Sequence, residues 1–135
     1  MEVRVLELVN ERRAEGANCG AEGDFPPAGP LAGHASLRCA ARVHSKDMVE
    51  RGYFSHYSPE GEGPNGRIEK AGYGGFGWGE NIAYGNSTAE QTVEQWMNSD
   101  PHCSNIMNAS FLFLGVGYDP GGGQYSHMWT QAFGG

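Results

Sequence analysis

The last quarter of the chain reads as a β-hairpin. Phe111–Tyr118 is a run of apolar residues and glycines, Asp119-Pro120-Gly121-Gly122-Gly123 supplies the turn, and Gln124–Phe133 returns. In the return, Tyr125, His127, Trp129, Gln131 and Phe133 alternate onto one strand face. The segments before this hairpin are mostly helical in pattern. Helices first and an antiparallel hairpin last imply an α+β fold or an α-β-α sandwich.

Residues 2–15 place Val5, Leu6, Val9 and Ala14 near helical spacing, with Glu2, Glu7, Asn10, Glu11, Arg12 and Arg13 between them and Gly16 as the stop. Glycines and prolines crowd residues 17–30, which read as a long surface loop. A second helix is expected from about His34 to Arg51, closed by Gly52. Its wide apolar face comprises Leu37, Cys39, Ala40, Ala41, Val43, His44 and Met48. His44 there reads as a packed core histidine with Asp47 in reach one turn on. Residues 53–66 form a loop, 67–71 a short helix, and 72–79 an irregular segment of alternating glycines and aromatics. Glu80–Tyr84 is a short strand or a buried turn. Ser87-Thr88-Ala89-Glu90 matches a capping box and opens a helix lined by Ala89, Val93, Trp96 and Met97. Pro101 bars that helix from running through His102, and Cys103–Met107 adds a brief helical turn.

A length of 135 residues fits one domain, 1–135, and 39% hydrophobic content argues for an ordered core. The formal net charge of -7, with basic residues scattered, excludes nucleic acid as the main partner and gives no basic face for anionic membranes. No apolar run reaches bilayer length, so no transmembrane segment is expected. No leader precedes Met1, and the chain starts abruptly inside a helical pattern, so a secretion signal is expected to lie outside this sequence. Three cysteines permit one disulfide and one free thiol. Cys39 falls in an apolar helical pattern and reads as a buried free cysteine, while Cys19 and Cys103 sit in turn-like contexts. Secretion favours Cys19–Cys103, with Cys19–Cys39 the alternative.

Three residues stand out chemically. His56 ends Tyr53-Phe54-Ser55-His56, Glu80 opens Glu80-Asn81-Ile82 after Gly79, and His102 closes Trp96-Met97-Asn98-Ser99-Asp100-Pro101-His102. They are expected to converge in one cleft. Two imidazoles can hold Zn²⁺ or another divalent ion, and a carboxylate beside an imidazole can fix its tautomer. Each also has a structural reading: His56 capping a turn, Glu80 bonding buried amides, His102 capping a helix. No His-Glu-x-x-His pattern, nucleophile elbow, papain-like cysteine signature or phosphate loop is present. His127, on the return strand, reads as a structural or cleft-lining residue and not as a ligand.

Taken together, these motifs resemble the CAP superfamily, or SCP domains, and most closely its bacterial branch. The matching residues are Val9-Asn10-x-x-Arg13, Ala41-x-x-His44-Ser45-x-Asp47-Met48, Tyr53–His56, Arg67-Ile68-x-x-Ala71-Gly72-Tyr73, Gly79–Ala83, Trp96–Ser99, His102–Asn108, Leu114–Tyr118 and Trp129-Thr130-Gln131-x-Phe133. The resemblance implies a three-layer α-β-α sandwich with a mainly antiparallel central sheet. It also implies a cleft of two histidines and two acids, three of which fall on His56, Glu80 and His102. The second acid falls on Ser99, and Asp100 is one residue off, about 100° around a helix. Members are typically secreted; some bind divalent metal, others sterols or lipids, and a peptidase-like activity has been proposed for some. The expectation is therefore a secreted binding or signalling module for a small ligand, lipid or protein partner. Its cleft, His56, Glu80, His102 and Ser99, would take a divalent metal on His56 and His102. The alternatives are a metal-dependent hydrolase with Glu80 as general base, and a lipid or sterol binder using the aromatic loops near Tyr53 and Tyr73–Trp78.

Overall fold

The C-terminal hairpin is the centre of the molecule. In the computed structural model, which describes residues Met1–Gly135, strands β5 (Phe113–Gly122) and β6 (Tyr125–Gly134) pair antiparallel, with Leu114 opposite Phe133 and Tyr118 opposite Trp129. Strand β4 (Trp78–Tyr84) adds antiparallel to the other edge of β6, setting Glu80 opposite Ala132 and Asn81 opposite Gln131. A two-residue strand β3 (Ala32–Gly33) runs parallel to β5, giving the order β3-β5-β6-β4. The strand assignment for Glu80–Tyr84 is thus resolved, and the strand starts two residues earlier than expected. Strand β6 is central, so Met128–Gly134 are buried on both faces.

Helices cover both faces. On one side lie α1 (Glu2–Glu15), α4 (Ala89–Met97) and α5 (Asp100–Met107). They enclose the larger core, where Val5, Val9, Val93, Trp96, Ile106, Trp129 and Phe133 meet. On the other side lie α2 (Ala35–Arg51) and α3 (Pro64–Lys70), packed over Leu37, Ala41, Ile68 and Ala132 and over Met48, Ile82 and Met128. The fold is an α+β, three-layer α-β-α sandwich with a mainly antiparallel sheet. No helix is long and apolar enough to cross a membrane.

Several local expectations are corrected. Helix α2 buries Leu37, Ala40, Ala41, His44, Ser45 and Met48, while Val43 is 56% exposed and Cys39 is an exposed free thiol. Their positions on the helical wheel fall outside the stripe that faces the sheet. That stripe lies very close to the strands: a Cβ on Gly115 or Gly117 would collide with the α2 backbone at Leu37–Arg38 or Ala41–Arg42. Arg13, expected among the solvent-facing residues of α1, is buried. Its guanidinium donates to the carbonyls of Gly29 and Ile106 at 2.7 Å, Asn108 at 2.9 Å and Phe111 at 3.3 Å. It satisfies backbone acceptors that no ladder reaches.

The loop between α1 and α2 carries a small ladder of β1 (Ala17–Asn18) with β2 (Asp24–Phe25) around a 3-10 turn, Gly20–Glu22. Helices α3 and α5 each begin three residues before the expected start, and both take a proline in the first turn, where a missing N–H costs nothing. Thr88, not Ser87, caps α4, its hydroxyl accepting from the Gln91 amide at 3.2 Å. Cys19 and Cys103 form the disulfide, joining the first loop to α5 with Cα atoms 5.5 Å apart.

Candidate functional site

Glu80 lies on β4 with its side chain 4% exposed, and a carboxylate so placed needs partners. His56 Nδ1 donates to its Oε1 at 2.8 Å and Arg67 Nη2 donates to its Oε2 at 2.8 Å. Helix α3 supplies Arg67, and loop 53–63 supplies His56. The same guanidinium donates to the His56 carbonyl at 2.8 Å and to the Glu62 carbonyl at 3.1 Å. From α2, buried His44 donates through Nε2 to the Ser55 carbonyl at 2.8 Å, and this nitrogen lies 3.8 Å from Glu80 Oε1. Two consecutive carbonyls, Ser55 and His56, are therefore pinned from beneath. The His56 ring, 45% exposed, is held by its loop and by the carboxylate.

His102 arrives from the other layer, in the first turn of α5. Its Nδ1 is 2.8 Å from Ser99 Oγ, and its carbonyl accepts from the fully buried Asn81 amide at 3.1 Å. Asn81 also donates to Gln131 at 2.9 Å, while Asn105 donates to the side-chain oxygen Oδ1 of Asn81 at 2.9 Å and to the backbone carbonyl of Glu80 at 3.2 Å. This amide chain fixes α5 against β4. Ser99, on which the resemblance places the second acid, gives His102 a neutral partner. Asp100 does not substitute: its Oδ2 accepts from the Ala21 amide at 3.0 Å, in the first loop.

Burial pushes the His102 pKa down, and the nearby charge of His56 lowers it further. Burial likewise holds His44 below the ordinary imidazole value, opposed by Glu80. His127 pairs instead with Tyr118, its Nδ1 2.7 Å from the hydroxyl, and holds a φ of 56°. No group of three or more His, Cys, Asp or Glu side chains is arranged to cage a metal ion.

A cleft of about 270 Å³ opens beside this network, lined by His56, Tyr57, Pro64, Trp78, Gly79, Glu80 and Asn105. The sequence reading names His56, Glu80, His102 and Ser99; His56 and Glu80 bond to each other and line this cleft, whereas His102 and Ser99 bond to each other and are not part of its wall. It passed over Arg67, Asn81 and Asn105 and set His44 aside as core. His44 is indeed packed, and it also bonds the loop that carries His56. Local spacing gives no sign of Arg67, since an arginine on a short helix most often faces solvent.

The family model for CAP, the cysteine-rich secretory protein family, matches residues 6–133. The chain is 38% identical over 133 residues to the uncharacterized protein YkwD of Bacillus subtilis, covering 98% of this chain and 46% of that protein. It is 34% identical over 118 residues to the uncharacterized membrane protein YlbC of the same organism, covering 87% of this chain and 31% of that protein. Among solved structures, an extracellular protein containing an SCP domain from Bacillus anthracis superposes with TM-score 0.82 at 30% identity, covering 98% of this chain and 39% of that chain. The chain therefore spans about half the length, or less, of the curated relatives it matches. With the family model matched along almost its entire length, the chain belongs to the CAP, or cysteine-rich secretory protein, family.

Proposed function

We propose that this chain is a secreted binding module whose cleft takes a divalent cation, Zn²⁺ or a similar ion, weakly on His56 and His102. The observation that carries the reading is the commitment of both Nδ1 atoms. His56 donates its Nδ1–H to Glu80, which leaves its Nε2 lone pair free, as in carboxylate–histidine–metal arrangements. Ser99 can hold His102 in the same tautomer by accepting from its Nδ1–H. The donor set fits a weak site. Glu80 spends both oxygens on His56 and Arg67, so two imidazoles remain and water would complete the coordination. Bound there, the ion would supply a Lewis-acidic centre for an oxygen or carboxylate of a partner.

The same geometry argues against Glu80 as a general base, because its side chain is 4% exposed and each oxygen is already held in a hydrogen bond, to His56 and to Arg67. Secretion is supported by the disulfide and by the relative from Bacillus anthracis that is described as extracellular. Imidazole ¹⁵N spectra recorded during Zn²⁺ addition test the site. The Nε2 resonances of His56 and His102 are expected to move together while those of His34, His44 and His127 stay. Movement confined to other histidines, or none, would refute the proposal.

A further inference from the structure

Trp78 is an unusual residue for the surface of a small sandwich. It stands at the first position of β4, 47% exposed, and it is the wall common to two cavities. One is the cleft of about 270 Å³ already described; the other, about 320 Å³, continues along α3 between Asn65, Glu69 and the glycine-rich segment after Tyr73. Pro64 lines the first and Asn65 the second, so α3 forms a continuous bank for both. Tyr57, 59% exposed, supplies a second aromatic surface in the first cavity. No lysine or arginine lines either one.

We propose that this groove binds a neutral carbohydrate chain, one sugar unit in each cavity with Trp78 between them. A pyranose has an apolar C–H face and a hydroxylated edge. It therefore suits a wall of exposed aromatic faces set among amides and carboxylates. Asn65 and Glu69 on α3, and Asn105 on α5, offer hydroxyl partners in the two cavities. The missing cations exclude phosphorylated or sulfated chains, for which the net charge of -7 is also repulsive. An apolar ligand would instead need an enclosed apolar volume, which this open, polar-edged groove lacks. The inference rests on reading the cleft as a binding site and does not require the ion.

Trp96 and Trp129 are 0% exposed, so acrylamide quenching reports on Trp78 alone. The probes are the β-1,4-linked tetrasaccharides of glucose and of N-acetylglucosamine. At least one is expected to protect Trp78 from quenching, with and without a chelator. Tyr57→Ala should weaken that protection roughly fivefold to tenfold, the scale of one lost aromatic contact. Glu69→Lys, on an exposed position, should weaken it too without affecting the fold. Calorimetry with Trp78→Phe should retain most of the affinity that Trp78→Ala loses. His102→Ala should remove Zn²⁺ binding and leave the protection intact, which separates this proposal from the ion site. Absence of protection by both tetrasaccharides at millimolar concentration overturns it, as does protection that Tyr57→Ala and Glu69→Lys leave unchanged.

Discussion

Arg67 and Glu80 show how much of this molecule is decided by single side chains. Both are about 95% buried, and the guanidinium simultaneously neutralises the carboxylate and holds the carbonyl of His56. Removing one member of such a pair leaves an uncompensated buried charge. Arg67→Ala is expected to lower stability by about 3–5 kcal/mol in urea titrations, and Arg67→Lys to recover only part of it, because one ammonium cannot span the two acceptors. An unchanged urea midpoint in Arg67→Ala would contradict the pairing. His44 gives a pH signature. Its folded pKa lies below the ordinary value through burial, against the pull of Glu80 and Asp47 and with the push of Arg67. The unfolded chain then binds the proton first, so this contribution is complete above about pH 6.5 and is lost as the pH falls below it. Urea midpoints at pH 7.5 and 5.5 should separate less in His44→Gln than in the wild type; equal separations would contradict the assignment. The pairing of His56 with Glu80 was legible because reactive residue types stand out against the glycines, aromatics and small residues around them. Arg13 and Arg67 were not: Arg13 is buried against carbonyls of Gly29, Ile106, Asn108 and Phe111, and Arg67 against the carbonyls of His56 and Glu62 and the Glu80 carboxylate, none of which a helical or strand pattern announces.

At the scale of elements, the sequence marked the helices and the hairpin but misplaced several of their ends. Helices α3 and α5 begin at or beside prolines that a reader takes as breakers, although a first-turn proline is compatible with a helix. The two exposed residues Cys39 and Val43 look apolar in a one-dimensional pattern and lose to the glycine-lined contact of α2 with β5, which sets the angle of the helix. The disulfide was anticipated, because turn-like contexts suit a bridge better than the middle of a helix. It ties α5, with His102 in its first turn, to the loop after α1 across 84 residues of sequence. Chain entropy alone assigns such a closure about 4–5 kcal/mol. The paired substitution Cys19→Ser with Cys103→Ser is expected to lower stability by about 2–5 kcal/mol, read as a drop in thermal midpoint. An unchanged midpoint would mean that the amide chain of Asn81 and Asn105 suffices to seat α5.

At the scale of the whole molecule, the sheet acts as a platform whose β4 edge gathers residues from α2, α3, α5 and one loop. The family resemblance read from ordered motifs anticipated the sandwich; the strand order with β6 at the centre came only with the structure, since hairpin patterns do not say which edge a third strand will join. The central claim is that two imidazoles from opposite layers, freed at Nε2 by Glu80 and Ser99, share one cation. Isothermal titration of Zn²⁺ into the wild-type chain and into the His56→Ala/His102→Ala variant at pH 7.5 tests it most directly. One weak site per chain is expected in the wild type and none in the variant. Equal heats in the two proteins, or no heat in either, would contradict the claim.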